Sequence, residues 1–133
     1  MAIEVRDATV DDLPFLSHLI RASAKWIVNA YRQGPTLVTT VHGQIAAALF
    51  IGFNVNLVLP QGEIIWAYTL PFFRKRKFLR RMWETHLLRT PMARYIAEVP
   101  ERAVAMQLAL KNFNFIGKQL TNQLISFRRG INA

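Results

Sequence analysis

The sequence contains no cysteine, which excludes disulfides and thiolate metal sites and is compatible with a reducing compartment. Its longest apolar run, Ile45 to Phe53, is too short to span a bilayer, which takes about 20 residues. The opening residues "MAIEVRD" lack an apolar segment after a basic start, so we predict no signal peptide and no membrane span. The three histidines, His18, His42 and His86, have no metal-binding spacing, so we predict no metal site.

Acidic residues are scarce, with eight Asp and Glu against seventeen Lys and Arg, and the net charge is +9. Such a charge favours an acidic partner, which can be nucleic acid, an acidic protein surface or anionic lipid. No G-x-S-x-G elbow, phosphate-binding P-loop, helix-turn-helix or zinc-finger pattern is present, so sequence-specific DNA reading is not expected.

The hydrophobic pattern predicts one domain over residues 1–133, with the element order β-α-α-β-β-β-α-β-α-β-β. A capping box at Thr9 and Asp12 predicts the first helix, and His42-Gly43 predicts a hairpin turn. We predict strands at 3–6, 36–41, 44–55, 63–69, 93–99, 115–120 and 122–129, and later helices at 25–31, from Pro71, and at 100–110.

The helix predicted from Pro71 carries an apolar stripe of Phe78, Met82 and His86 and a basic face. Six of the eight residues from 74 to 81 are basic, and like charges at this density repel one another, so we expect them to bind an anion. We call them the basic cluster: Arg74, Lys75, Arg76, Lys77, Arg80 and Arg81. Phe72 and Phe73, just before it, are a candidate docking point for a partner.

The element order and three segments resemble the GNAT N-acetyltransferases over nearly the whole chain. The segments are "IEVRDATVDDLPFL", "GEIIWAYTLPFFRKRKFLRRMWETHL" and "AVAMQLALKNFNFIG". The resemblance implies an α+β (α/β) fold with a mixed, mostly antiparallel sheet of about seven strands and about four helices. It also implies that a loop of the form Q/R-x-x-G-x-G/A, followed by a helix N-terminus, holds the acetyl-CoA pyrophosphate.

The resemblance aligns that loop with residues 74–79, where the sequence departs from the family pattern. Arg74 matches the first position, but Lys77 and Leu79 replace the glycine and the second small residue. Leu110 stands where many members carry a tyrosine that protonates the leaving thiolate, and Asn114 stands where a glycine often follows. These departures led us to expect a GNAT fold whose chemistry is lost, with no cofactor and no catalytic residue.

A narrower resemblance is to small GNAT-like proteins of short-tailed bacteriophages, through "RKFLRRMWETHL", "ARYIAEV" and "FNFIG". It implies a non-catalytic virion or assembly component, in the virion or host cytoplasm, at an internal or head–tail position. Its partners would be other virion proteins, with nucleic acid as a further candidate, all bound through the basic cluster together with Phe72 and Phe73.

Two alternatives remain open. The first is an acetyl-CoA-dependent N-acetyltransferase with Glu63 as the base acting through a water. Backbone N–H groups around Leu70 and Phe72 would then hold the oxyanion and pantetheine, and the cofactor residues would extend over Arg74, Lys75, Arg76 and Lys77. The second alternative is a nonspecific nucleic-acid-binding protein, whose affinity would fall steeply with salt.

Overall fold

The computed structural model describes residues 2–54, 60–121 and 123–130, and of Lys75 it describes the backbone alone. The strands are β1 (Ile3–Asp7), β2 (Thr36–Val41), β3 (Gln44–Asn54), β4 (Gln61–Thr69), β5 (Arg94–Pro100), β6 (Ile116–Thr121) and β7 (Leu124–Arg129). The α-helices are α1 (Leu13–Ile20), α2 (Ala24–Arg32), α3 (Phe78–Arg89) and α4 (Val104–Asn112). Short 3-10 helices at Val10–Asp12 and Pro71–Arg76 precede α1 and α3.

The seven strands form one sheet in the order β1-β2-β3-β4-β5-β7-β6. β4 and β5 pair in parallel through three residue pairs, from Gln61 with Arg94 to Glu63 with Ile96. β1 with β2, β2 with β3, β5 with β7 and β6 with β7 are antiparallel. The predicted mixed sheet, strand order and number of helices are confirmed.

The chain divides into two compact units, one of Met1–Gly52 with Ile65–Pro91 and one of Phe53–Ile64 with Met92–Ala133. The single domain predicted over 1–133 stays a prediction. The first unit has a core in which the apolar faces of α1 and α2 pack on β2 and β3. Its buried members are Ala8, Leu13, Leu16, Ile27, Ala30, Val38, Ile45, Ala48 and Phe50.

The start of the 3-10 helix that leads into α1 is fixed by short-range polar contacts. Asp12 accepts a hydrogen bond from the Thr9 N–H at 2.7 Å and forms an ion pair with Arg6 at 2.8 Å. This is the predicted capping box, which satisfies N–H groups that a helix start otherwise leaves unpaired.

The β2–β3 hairpin turns at His42 and Gly43, where φ is +51° and +80°. Two consecutive residues with positive φ are what a two-residue type I′ hairpin requires, and this agrees with the prediction.

The second unit is built on β5, whose residues alternate between the two faces of the sheet. Tyr95, Ala97 and Val99 are buried on one face. Gly62 of β4 lies against the Tyr95 ring so closely that a Cβ there would come within 2.6 Å of a ring carbon. A side chain at position 62 would therefore displace the Tyr95 ring.

Two predicted helix starts were wrong. The helix predicted from Pro71 is a 3-10 helix that ends at Arg76, and α3 begins only at Phe78, because Lys77 between them is left-handed. α4 begins at Val104 because Pro100 still belongs to β5 and accepts a turn hydrogen bond from the Ala103 N–H. The predicted ends of β3 at Val55 and of β7 at Asn122 lie outside the described residues.

In the described part of the chain, no helix is long and apolar enough to cross a membrane.

Candidate functional site

The turn between the 3-10 helix and α3 places Lys77 at φ +59° and ψ +30°. This is the left-handed region, where a residue with a Cβ is disfavoured by about 1–2 kcal/mol. The sequence alignment placed the first loop glycine at this position. The backbone therefore adopts the conformation that a glycine would favour, although the residue is lysine.

The start of α3 has no capping side chain. Arg81 is the first residue whose N–H bonds back along the helix, to the Lys77 carbonyl at 3.1 Å. Within the described residues, the N–H groups of Phe78, Leu79 and Arg80 have no hydrogen-bond partner. Unpaired N–H groups and the positive end of the helix dipole together favour an anion at this point.

The basic cluster surrounds this turn, but its members have different surroundings. Arg76, Lys77 and Arg81 are exposed. Arg74 donates from Nε to the Thr69 carbonyl at 3.0 Å, and Arg80 pairs with Glu84 at 3.3 Å.

Only two members, Arg80 and Arg81, belong to α3. Arg74, Lys75 and Arg76 are on the 3-10 helix, so the prediction of one basic helix start is corrected. The Lys75 side chain lies outside the described residues.

The two phenylalanines before the turn have separate surroundings. Phe73 stacks on the buried Phe78 ring, with the ring centroids 5.7 Å apart. Phe72 meets Phe73 edge-on and is 80% exposed. Phe73 therefore anchors the 3-10 helix, while Phe72 is available to a ligand or partner.

The oxyanion donors proposed from sequence are in part occupied. The Leu70 N–H donates to the Ala46 carbonyl at 2.8 Å, so it is used within the fold and the expectation for Leu70 is corrected. The Phe72 N–H, two residues later, has no hydrogen-bond partner among the described residues. Phe72 is therefore the member of this pair that can still donate to a bound group.

The candidate base Glu63 lies in the second unit at the last β4–β5 pair, opposite Ile96. Glu98 lies two residues beyond Ile96, so both carboxylates are on one face of the sheet. Partial burial and, secondarily, the charge of Glu98 raise the pKa of Glu63. A raised pKa makes a carboxylate a better proton acceptor when it is ionised.

The position aligned with the family's thiolate-protonating tyrosine is Leu110, whose side chain is fully buried and has no proton to donate. Asn114, aligned with a glycine, has a φ of +69°. Asparagine tolerates the left-handed region better than most residues, so the turn after α4 needs no glycine.

One cavity was not foreseen from the sequence. It has a volume of about 660 Å³ and lies at the turn between α1 and α2, lined among others by Ser17, His18, Arg21 and Tyr68. Tyr68 is 47 residues away from Arg21 in the chain, so the pairing could not be read from local pattern. The sequence does show that the segment around Arg21, from Leu13 to Gly62, contains no Asp or Glu.

No family model matches the sequence, and no curated protein sequence matches it. Solved structures do match. Arabidopsis thaliana NAA60 in complex with acetyl-CoA has a TM-score of 0.81 at 12% identity, covering 99% of this chain and 100% of that chain. Thermoplasma volcanium Ard1 has a TM-score of 0.79 at 15% identity, covering 98% and 99%. The PaiA N-acetyltransferase of Thermoplasma acidophilum, in complex with coenzyme A, has a TM-score of 0.75 at 15% identity, covering 98% and 99%.

The fold is therefore that of the GNAT acetyltransferases. At these identities the similarity establishes the fold alone, and the chemistry has to be argued from the site. The expectation of a non-catalytic phage virion or assembly component is wrong. The structures that share the fold include N-acetyltransferases, and a phage protein is not among those described above. The expectations about partners and cellular location stay untested.

Proposed function

We propose that the chain is an acetyl-CoA-dependent N-acetyltransferase. The observation that carries the proposal is the left-handed turn at Lys77 followed by three N–H groups, at residues 78–80, without partners in the described part of the chain. The similarity in fold to NAA60 in complex with acetyl-CoA and to PaiA in complex with coenzyme A supports the proposal. This replaces the expectation that the loop is lost and that no cofactor binds.

The residues fit the cofactor in charge and in backbone. The N–H groups of Phe78, Leu79 and Arg80 would bind pyrophosphate oxygens, and the exposed Arg76 and Lys77 side chains would add charge. Lysine at the glycine position adds a cation beside these N–H groups, and a cation favours a phosphate. The Phe72 N–H is the candidate donor to the pantetheine or the acetyl oxygen.

Acetyl-CoA supplies the acetyl group as a thioester. The chain's part in the transfer is to position the amine and to take its proton. We assign the proton to Glu63, acting through a water, because burial and, secondarily, the charge of Glu98 raise its pKa, which makes the ionised carboxylate a better proton acceptor. Leu110 offers no proton, so the departing thiolate takes one from solvent or from the amine.

The proposal is tested by calorimetric titration with acetyl-CoA at low and moderate salt, followed by an acetyl-transfer assay over a panel of amines and peptides. We expect binding that survives moderate salt, because hydrogen bonds from N–H groups are less sensitive to screening than surface charge alone. We expect Glu63→Gln to keep cofactor binding and to lower transfer by about a hundredfold.

Glu4→Gln is the matched control, because Glu4 is an exposed glutamate on β1 and carries the same charge. It should leave binding and transfer unchanged. Binding that is absent, or that disappears at moderate salt, would overturn the proposal.

A further inference from the structure

The cavity at the α1–α2 turn has an unusual electrostatic setting. From Leu13 to Gly62 the sequence contains no Asp or Glu, while Arg21, Lys25 and Arg32 all lie in this segment. Of these three, Arg21 lines the cavity itself, beside His18. α2 begins two residues after the lining residue Ala22, so its positive end is also close. The cavity therefore favours a negatively charged group.

Arg21 occupies a position where glycine is usual. It follows α1 with φ +55° and ψ +41°, the left-handed conformation that ends many helices. The Ala22 N–H bonds the Ser17 carbonyl at 3.0 Å and the Arg21 N–H bonds the His18 carbonyl at 3.3 Å, so the turn satisfies its own backbone groups. The fold alone would be served better by glycine, so the arginine side chain is the feature to be explained.

Tyr68 connects this cavity to the α3 turn. It lines the cavity, and the Arg74 guanidinium lies over its ring, 5.7 Å from the centroid. Arg74 in turn is held to the Thr69 carbonyl at the entry to the 3-10 helix. The cavity and Arg74, a member of the basic cluster, thus contact the same aromatic ring.

We propose that this cavity holds the anionic part of the acceptor, and that the acceptor is an amine bearing a carboxylate or a phosphate. The role of this amine as the acetyl acceptor rests on the proposed function. Arg21 would bind the anion with its guanidinium fork, and the start of α2 would add to the positive field. A polyamine would find no carboxylate in this segment to pair with its ammonium groups, so the cavity would discriminate against it.

The test uses matched pairs of amines with and without the anion. O-phosphoethanolamine is compared with ethanolamine, and β-alanine with propylamine. Each is titrated into the full chain while the backbone amide NMR signals of residues 17–22 are followed. This measurement needs neither turnover nor cofactor, so it is separate from the test of the proposed function. The two pairs distinguish a phosphate from a carboxylate.

The variant is Arg21→Gly, which removes the charge and suits the left-handed backbone, so it should fold. Arg32→Gln removes one charge from the exposed end of α2, away from the cavity, and is the control. We expect at least one anionic amine to shift the 17–22 signals and to bind the glycine variant about tenfold more weakly, with the control within about twofold of the parent chain.

Equal binding of the amines that lack the anionic group, or unchanged anion binding in Arg21→Gly, would overturn the inference. So would an absence of shifts with both anionic amines. If anion binding appears while acetyl-CoA does not bind, the cavity is confirmed as an anion site and the proposed function is the part that fails.

Discussion

Two turns in the first unit hold a basic residue in the left-handed conformation. One turn follows the C-terminal end of a helix, and the other precedes the N-terminal end of a different helix. Arg21 follows α1 and has a φ of +55°, and Lys77 precedes α3 and has a φ of +59°. Both residues carry the same kind of backbone strain, on the order of 1 kcal/mol each. What differs is the state of the neighbouring helix end.

At Arg21 the last carbonyls of α1 receive hydrogen bonds from the turn itself. At Lys77 the first N–H groups of α3 donate to no acceptor among the described residues. The first turn is therefore complete without a ligand and presents only its side chain. The second presents its backbone, and the proposed cofactor binding relies on this backbone although lysine replaces glycine.

The largest expected effect concerns the histidines of the two helices, His18 in the last turn of α1 and His86 in the last turn of α3. His18 is exposed on α1, whereas His86 is buried on α3, and burial lowers the pKa of His86 to about 4. The unfolded chain binds a proton at His86 below about pH 6.5 and the folded chain does so only near 4. The free energy of unfolding should therefore fall as the pH is lowered from about 6.5 to about 4, by on the order of 3 kcal/mol in total.

Chemical denaturation between pH 4 and pH 7 measures this effect. His86→Met should flatten the dependence, because it removes the titrating group with little change in volume. His18→Gln should keep it. A slope that persists unchanged in His86→Met would show that another group causes it.

A smaller effect is expected when the two turns receive the same charge change. Lys77→Asp and Arg21→Asp each lower the net charge by two, and aspartate tolerates the left-handed region. We expect Lys77→Asp to weaken acetyl-CoA binding by at least about tenfold, roughly 1.4 kcal/mol, because it sets a carboxylate beside the phosphates. Calorimetry at one salt concentration compares the two variants.

Arg21→Asp is the control for overall charge and should change acetyl-CoA affinity by much less. Equal losses in both variants would mean that the cofactor responds to the total charge of the chain and not to the α3 turn.

The smallest effect is expected from glycine at the same two positions. Lys77→Gly and Arg21→Gly each relieve a left-handed side chain and should raise the free energy of unfolding by up to about 1 kcal/mol. Urea denaturation with an unchanged m-value measures it. Lys77→Gly should retain acetyl-CoA binding. A loss of stability in either variant would argue against the left-handed geometry at that turn.

The sequence was sufficient where local signals agree. β2 lies at Thr36–Val41 as predicted, since Gly34-Pro35 and His42-Gly43 bound it on both sides. The buried stripe of Phe78, Met82 and His86 also followed from helical spacing alone. Local pattern failed at position 77, because propensity gives no reason to place a lysine in the left-handed region.

The candidate site was predictable only in part for a similar reason. The exposed basic residues around α3 could be read directly. The hydrogen bond from the Leu70 N–H to the Ala46 carbonyl could not be predicted from the sequence, because it joins residues 24 positions apart. The raised pKa of Glu63 comes first from burial and second from the charge of Glu98, and both depend on the fold, in which β4 pairs in parallel with β5.

The left-handed turn at Lys77 also has a consequence for how such proteins are recognised in genomes. A pattern that demands glycine at the loop position and a small residue two places later rejects this chain, although its backbone has the positive φ that glycine favours. A sequence pattern would group such chains with proteins that have lost the loop. Their backbone dihedral angles would group them with proteins that have kept it. Screening fold matches for a positive φ directly before an uncapped helix would recover them.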